Sequence, residues 1–393
     1  MWLPKPSILF LFPISVYSTI SVVNLPSLPS RKTAAYVEVE IVKTWEEAIG
    51  EITAVPGVVM ALGASDTGKS TFCLDLVRAG VDAGLLCAIV DADVGQSDVG
   101  PPCTIGMAII DSKPESLTDL KPRRMSFVGS TAPPGHFLEC ANGTRRMVEA
   151  AKELGARLIV VNTTGMVEGY AARKLKTHKI DLVRPDYLVG IQKGFEIDPL
   201  LIPFARMRSL KIIRIKTSAQ VRSKSQEYRK ARRKLQFASE FSDALGHIIK
   251  LDSVSLWNTC FRTGRPLSWQ YTKSIEDAID CRILHAEIAG NTVFAVAEQA
   301  CKTEAYKLLQ EKFPSQNMLL ATTDCFTNLL CGLADENGNT LDVGLIQAVD
   351  FKRMFIFVLS GIKTISPVRV VQIGSIRISR DGRELGTLKP GEI

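Results

Sequence analysis

The chain has 393 residues, of which 46% are hydrophobic and 23% are charged, so it can bury a substantial core and has room for two or three domains. The nine cysteines are scattered without a C-x-x-C pair, and the four histidines do not cluster, which argues against a disulfide framework or a zinc site. Reduced thiols predict a cytoplasmic protein. The net charge is +7 and is unevenly distributed along the chain.

Residues 1–35 are predicted to be a disordered tail or an over-extended start of translation. They contain an apolar stretch that loosely resembles a signal peptide. Pro4, Pro6 and Pro13 interrupt this stretch, no A-x-A cleavage site follows, and it is short for a membrane span. No other segment has the apolar length that a span requires, so we expect no membrane partner.

From residue 36 the sequence alternates short apolar strands with amphipathic helices. We predict helices at 44–52, 70–84 and 143–156, and strands at 57–63, 85–93, 157–165, 185–192 and 210–216. This alternation predicts an α/β fold whose parallel sheet is covered on both faces. After residue 250, short alternating strands and turn signals such as ENGN and RDGR predict a β-rich domain. The predicted domains are therefore 36–250 and 251–393.

The first motif reads GASDTGKS and matches the phosphate-binding loop G-x-x-x-x-G-K-[ST], between a predicted strand and a predicted helix. Backbone N–H groups of such a loop surround phosphate oxygens, and the helix adds its positive amino-terminal end. Lys69 is expected to reach the β- and γ-phosphates, and the Ser70 hydroxyl to bind Mg²⁺. The predicted nucleotide-binding residues are Gly63, Ala64, Ser65, Asp66, Thr67, Gly68, Lys69, Ser70 and Thr71.

Two features argue against a signalling ATPase or GTPase. Ala64 stands where the deviant loop of one ATPase class carries a second lysine, and the guanine-reading motif N/T-K-x-D is absent from the sequence.

A burst of charge, DADVGQSDVGPP, ends the next predicted strand. Asp91 and Asp93 are two residues apart, so on a strand their side chains point the same way. One carboxylate can hold Mg²⁺ or its water shell, and the other can accept a proton from an attacking hydroxyl. Gln96 can hydrogen-bond a phosphate or the metal's water. The plainer alternative is a turn rich in aspartate and glycine.

A basic element follows, with twelve lysines and arginines against one acid within residues 206–234. Such a concentration indicates a phosphate-bearing partner, and a solvated helix face is the alternative. Arg229 and Arg233 are four residues apart and therefore share a helix face. This charged helix lacks an apolar face, but three aromatic residues could anchor it: Tyr228, Phe237 and Phe241.

Together these motifs resemble the polynucleotide 5′-hydroxyl kinases, a family that includes RNA kinases of pre-mRNA cleavage, nucleolar rRNA-processing kinases and compact archaeal relatives. The resemblance covers roughly residues 40–390 and includes FVGSTAPPGH, VNTTGMVEGYAARKLK and VRSKSQEYRKARRKLQFASEF, in that order. It implies an enzyme of RNA processing that uses ATP and Mg²⁺ to phosphorylate 5′-hydroxyl ends of RNA or DNA. The alternative is an ATP-binding scaffold subunit without catalysis.

The resemblance also implies roles for individual residues. Asp93 corresponds to the general base, with Asp91, Gln96 and Ser70 around the metal. The acceptor-gripping loop would supply the substrate-binding residues Thr163, Thr164, Gly165 and Met166. A further substrate-binding residue, Arg222, stands at the start of the basic element, where it can substitute for the lid arginine that Lys224 replaces. A basic lid at 217–241 would close over the phosphates, and together with Lys69 it would supply the catalytic residues Lys224, Arg229 and Arg233.

Two positions depart from many family members. Met166 replaces a tryptophan that stacks on a substrate base, which predicts a looser or differently supplied grip on the terminal nucleotide. Lys224 stands at a lid arginine position, and lysine cannot clamp a phosphate bidentately. The compact chain resembles the self-sufficient archaeal members, for which we expect nucleic-acid ends and RNA-processing proteins as partners.

Overall fold

The computed structural model describes residues 42–218, 223–301, 303–389 and 392–393. The predicted amino-terminal tail lies outside the described residues, and so does Arg222. Within the described ranges, no helix combines the length and apolarity needed to cross a membrane.

Eight helices are described. They are α1 (Trp45–Ala54), α2 (Lys69–Asp82), α3 (Phe137–Glu153), α4 (Gly169–Val183), α5 (Asp198–Leu201), α6 (Gln226–Glu240), α7 (Trp269–Ile279) and α8 (Thr303–Lys312). The strands of the amino-terminal half are β1 (Val42–Lys43), β2 (Val58–Leu62), β3 (Cys87–Ala92), β4 (Thr104–Ile110), β5 (Arg124–Phe127), β6 (Leu158–Thr163), β7 (Tyr187–Gln192), β8 (Lys211–Lys216) and β9 (Leu245–Lys250).

The strands beyond residue 250 form two groups. Four of them make a separate sheet in the order β11-β12-β13-β14, and the rest extend the large sheet. They are β10 (Ser255–Trp257), β11 (Arg265–Pro266), β12 (Ile283–Ala289), β13 (Thr292–Ala297), β14 (Asn317–Thr322), β15 (Leu329–Ala334), β16 (Thr340–Asp350), β17 (Phe355–Ser360), β18 (Val370–Ile378) and β19 (Glu384–Thr387).

The predicted parallel sheet is confirmed in the order β1-β8-β7-β2-β6-β3. Every residue of β2, β3, β6 and β7 is buried, because apolar layers cover both faces, and this explains their continuous apolar runs. Strand β6 comes later in the chain but lies between β2 and β3. The carboxyl ends of these three strands therefore meet at one edge, where ligands of open α/β sheets bind.

Beyond β3 the sheet continues with antiparallel strands. Strands β4 and β5, which the sequence analysis did not predict, pair next, and β16, β15 and β18 follow. No α-helix separates β4 from β5, so the alternation of strands and helices did not identify them as strands. The predicted β-rich character after residue 250 is confirmed, although α7 and α8 were missed. The boundary at residue 250 stays a prediction, since strands from both sides of it join one sheet.

Helix α6 is the predicted lid helix, and the carboxyl-terminal strands anchor it. Ser225 caps its amino terminus by accepting a hydrogen bond from the Tyr228 N–H at 3.1 Å. Phe237 and Phe241 are fully buried in a cluster that includes Leu330 and Ile376 of the carboxyl-terminal strands. Two of the expected anchors are thus confirmed, whereas Tyr228 is 54% exposed and the expectation for it is wrong.

Candidate active site

The loop between β2 and α2 has the backbone of a phosphate cradle. Gly68 caps α2 with a φ of 93°, in the left-handed region that glycine adopts at little cost. A Cβ on Gly63 would lie 2.5 Å from the Ile191 carbonyl oxygen, so this position also requires glycine. Asp66 is a non-glycine residue at a φ of 55°. The motif residues therefore adopt the tight turn that their sequence predicted.

Lys69 begins α2 and is nearly buried. Its Nζ donates a 2.7 Å hydrogen bond to the Ala64 carbonyl, which holds the side chain across the loop. Burial lowers the pKa of the Lys69 ammonium, and the nearby carboxylates of Asp93 and Asp66 act in the opposite direction. The ammonium thus lies between the phosphate loop and the carboxylate at the β3 end.

A cavity of about 1200 Å³ opens over this loop. It brings together most of the residues predicted for the site. From the phosphate loop these are Ser65, Asp66, Thr67, Gly68, Lys69, Ser70 and Thr71. From the β3 and β6 ends and the lid they are Asp93, Gln96, Thr164, Gly165, Met166, Lys224, Arg229 and Arg233. Gly63, Ala64, Asp91 and Thr163 are predicted residues that do not line it.

Asp91 lies beneath the cavity wall and is fully buried. Its Oδ2 accepts hydrogen bonds from the N–H groups of Asp98 (2.5 Å) and Val99 (3.2 Å), and its Oδ1 from the Asp93 N–H (3.2 Å). Burial, reinforced by the charges of Asp98 and Asp93, raises the pKa of Asp91 to about 7. The carboxylate therefore organises the loop that follows β3.

Asp93 has a different environment. Strand β3 ends at Ala92, so the alternation of a strand does not extend to Asp93, and the shared direction of the two aspartates stays a prediction. Asp93 faces the cavity, and its Oδ1 accepts a hydrogen bond from the Gly95 N–H at 3.2 Å. Gln96 Nε2 donates to the Gly95 carbonyl at 2.6 Å and to the Arg229 carbonyl at 3.4 Å. This loop thus touches the lid.

Asn162 connects Asp91 to the phosphate loop and was not predicted. Its Nδ2 donates to Ser70 Oγ and to Asp91 Oδ1, both at 3.2 Å. Its Oδ1 is buried and finds no hydrogen-bond partner among the described residues. Hydroxyl, carboxylate and amide oxygens are ligands that Mg²⁺ accepts, and this ion usually needs few of them from the protein. The oxygens gathered around Ser70 therefore fit a magnesium ion.

The described residues offer no second candidate metal site built from several acidic, histidine or cysteine side chains. In the part of the chain that the structure describes, no group of three or more histidine, cysteine, aspartate or glutamate side chains could hold a metal ion. A metal at this edge would depend on the Ser70 neighbourhood and on ligands from a bound nucleotide.

The lid helix contacts the loops below it through its arginines. Arg229 Nη2 donates to Asp66 Oδ2 at 2.6 Å, and the Lys224 backbone N–H donates to the same oxygen at 2.9 Å. Arg232 Nη2 donates to Asp98 Oδ1 at 2.6 Å, and both side chains are largely buried. The lid is therefore tied both to the phosphate loop and to the loop after β3.

A third lid arginine is held by the carboxyl-terminal strands. Arg233 lines the cavity, and its Nε donates to Glu384 Oε1 of β19 at 2.6 Å. Neither Glu384 nor the Arg232–Asp98 pair was predicted, because these partners are far apart in sequence. The concentration of positive charge predicted this helix from the sequence. No pattern in the neighbouring residues predicted the acidic side chains that pair with its arginines.

The residues predicted for the acceptor loop lie at the end of β6: Thr163 is the last residue of the strand, and Thr164 and Gly165 follow it. Thr163 Oγ1 donates to the Ala61 carbonyl at 2.7 Å, and this side chain is buried behind the cavity. A Cβ on Gly165 would lie 2.6 Å from the Ser65 backbone nitrogen, so glycine allows the two loops to touch. Thr164, Gly165 and Met166 line the cavity next to the phosphate loop.

Several other residues line the cavity and were not predicted as site residues from the sequence. Thr131, Ala132 and Pro133 belong to the quoted FVGSTAPPGH motif and line the cavity. Trp45, Leu74 and Leu117 add apolar surface. Trp45 is held by an edge-to-face contact with Phe72, whose ring centroid is 5.1 Å away.

A glycine-rich loop at a helix start, a carboxylate at a nearby strand end and an arginine lid over one cavity define a P-loop nucleotide-binding protein. The family model described as "mRNA cleavage and polyadenylation factor CLP1 P-loop" matches residues 63–243. The chain is 33% identical to a polyribonucleotide 5′-hydroxyl-kinase of Pyrococcus furiosus over 335 residues, which are 85% of this chain and 91% of that protein.

Further comparisons agree. Kinases of the same name from Thermococcus kodakarensis and Methanocaldococcus jannaschii are 31% and 29% identical, covering 86% and 90% of this chain and 93% and 96% of theirs. The chain belongs to the polyribonucleotide 5′-hydroxyl-kinase family. A solved Clp1p–Pcf11p complex aligns with a TM-score of 0.53 at 12% identity, over 86% of this chain and 80% of that one, and so shares the fold.

Proposed function

We propose that this protein is a polynucleotide 5′-hydroxyl kinase that transfers the γ-phosphate of ATP to the 5′-hydroxyl end of RNA, and of DNA if the acceptor site tolerates it. The observation that carries the proposal is the single cavity that joins the phosphate loop, Asp93, the acceptor loop and the arginine lid. The named activity of its archaeal relatives, which match over nearly their whole length, supports the same reading.

The phosphate loop and Lys69 bind the triphosphate of ATP, and the apolar surface of Trp45, Leu74 and Leu117 offers the base a wall to pack against. Phosphoryl transfer depends mainly on positioning and charge neutralisation. Arg229, Arg233 and Lys224 supply positive charge from the lid side, and Lys69 supplies it from the opposite side. The acceptor end enters beside Thr164 and Met166.

Asp93 is the proposed general base. Gly95 occupies one carboxylate oxygen, and no described residue hydrogen-bonds the other, so Oδ2 can accept the proton of the 5′-hydroxyl. Ser70, Asn162, Asp91 and Gln96 would hold Mg²⁺ or its waters. When bound, this ion adds charge neutralisation at the phosphates.

A cytoplasmic location and a place in RNA processing, with partner proteins of that process, belong to the same proposal. All nine cysteines are free, which suits a reducing compartment.

The experiment is transfer of label from γ-labelled ATP to 5′-hydroxyl oligonucleotides of RNA and of DNA, with Lys69→Ala as the inactive control. The competing reading, an ATP-binding scaffold, predicts nucleotide binding without transfer. A folded protein that binds ATP but labels neither oligonucleotide would refute the kinase proposal.

A further inference from the structure

Two lysines on one face of α4 are fully buried and do not line the active-site cavity. Lys176 and Lys179 both have 0% exposed surface. Lysine is among the residues least often found fully buried, because an ammonium without acceptors costs much free energy inside a protein. Two such residues beneath the active-site edge of the sheet therefore need an explanation.

Lys176 has a complete set of acceptors. Its Nζ donates to Thr163 Oγ1 at 2.8 Å, to the Thr164 carbonyl at 2.6 Å and to Thr164 Oγ1 at 3.2 Å. An ammonium has three N–H bonds, which is the number of acceptors present. Thr163 Oγ1 donates its own proton to the Ala61 carbonyl, so its lone pairs are free to accept from the lysine.

These contacts fix the loop that follows β6. Lys176 binds Thr163, the last residue of β6, and Thr164, the first residue after the strand, which lines the cavity. The next residue, Gly165, is packed against Ser65 of the phosphate loop, and Met166 continues along the cavity wall. Lys179 Nζ instead donates to the Ala92 carbonyl, at 3.5 Å, and among the described residues it makes no hydrogen bond to Thr163 or Thr164.

We propose that Lys176 is a positioning residue for the acceptor: its ammonium holds the Thr163–Gly165 loop in the conformation that receives the 5′-hydroxyl end. The inference rests on the proposed kinase function. It assigns a role to a residue that does not line the cavity and acts on the acceptor through Thr164.

The surroundings of Lys176 also give a pH signature. Burial lowers the pKa of its ammonium well below the usual value. The facing cations Lys179 of α4 and Lys69 of α2 act in the same direction, while Asp93 after β3 and Cys140 of α3 oppose them. As pH rises, Lys176 loses its proton before an exposed lysine does, and with it the third hydrogen bond to the loop.

The test compares Lys176→Met with the wild type. Methionine keeps an unbranched side chain but removes all three hydrogen bonds, so we expect the KM for a 5′-hydroxyl RNA to rise about tenfold or more. The KM for ATP should stay within about twofold, since the hydrogen bonds of Lys176 go to Thr163 and Thr164 and not to the phosphate loop. The matched control is Lys174→Met on the exposed face of α4, which should change neither value.

Binding of a fluorescent 5′-hydroxyl oligonucleotide, measured by anisotropy without ATP, tests the same inference without phosphate transfer. Wild-type affinity should fall as pH rises, before exposed lysines lose their protons, and Lys176→Met should be weak throughout. Equal affinity and equal pH profiles would overturn the role of Lys176. If Lys176→Met does not fold, Lys176→Gln, which keeps at most two of the three hydrogen bonds, takes its place, and affinity equal to that of the wild type overturns the role. A wild type that binds RNA but transfers no phosphate would instead refute the kinase proposal.

Discussion

Arg229 of the lid helix and Asp66 of the phosphate loop form an ion pair, with Nη2 and Oδ2 2.6 Å apart. Asp66 also accepts a hydrogen bond from the Lys224 backbone, so one carboxylate holds both the segment just before α6 and the first arginine of that helix. Because Asp66 lies within the turn that binds phosphate, the guanidinium is held at the edge of the phosphate site. Helix α6 is thus oriented by its contact with the phosphate loop.

Replacing Arg229 with alanine should lower the rate of transfer strongly. An arginine that stabilises the charge of a transferring phosphoryl group contributes about 10³-fold or more. Single-turnover transfer at saturating ATP measures the effect, and Lys230→Ala, at the exposed neighbouring position, should leave the rate unchanged. A loss of less than about threefold for Arg229→Ala would be inconsistent with its proposed role.

Asp93→Asn should abolish most transfer while ATP binding persists. The amide keeps the size and the hydrogen bond to Gly95 but cannot accept the proton, which costs about 10²- to 10⁴-fold in general-base catalysis. Isothermal titration with ATP and a rate assay on the same preparation separate the two effects. Full activity of this variant would show that another group is the base.

Glu384→Gln should reduce kcat about tenfold, because Arg233 loses the ionic partner that directs it toward the cavity. The control is Asp381→Asn, which removes a neighbouring but exposed pair with Lys234. That variant should behave as the wild type. If Glu384→Gln is also fully active, the carboxyl-terminal strands anchor the lid by apolar packing alone.

A carboxyl pair at the end of the lid helix should make stability depend on pH. Burial, and next the neighbouring Asp342, raise the pKa of Glu240 to about 7. A carboxyl whose pKa is raised by folding contributes stability at acidic pH, and this contribution is lost as pH rises toward and through the folded pKa. The Tm of the wild type should therefore fall between about pH 5 and pH 8 relative to that of Glu240→Gln. Curves of Tm against pH that run parallel for the wild type and Glu240→Gln would contradict this. The control is Glu227→Gln at an exposed position, whose curve should follow that of the wild type.

The sequence predicted those parts of the site whose residues are neighbours along the chain. The phosphate loop, the strand before it and the helix after it are contiguous, so their pattern is visible in the residues themselves. The basic segment likewise predicted a helix, and its buried Phe237 and Phe241 were named as anchors in advance. The different environments of Asp91 and Asp93 could not be predicted, because they depend on the residue at which β3 ends.

What escaped prediction was long-range pairing. Asn162 is 71 residues from Asp91, and Glu384 is 151 residues from Arg233, so only the folded sheet shows that they meet. Antiparallel strands β4 and β5 were missed for a related reason, since their partners are set by the sheet and not by the local pattern. The residue roles assigned to the site remain predictions.

The central claim is tested most directly by locating the label after reaction with γ-labelled ATP and a 5′-hydroxyl RNA. Digestion of the product to mononucleotides should place all label on the 5′-terminal nucleotide, and an RNA that already carries a 5′-phosphate should take up none. Lys69→Ala should abolish the reaction. Label that appears only as free phosphate, or that is found equally on the 5′-phosphorylated RNA, would contradict a 5′-hydroxyl kinase.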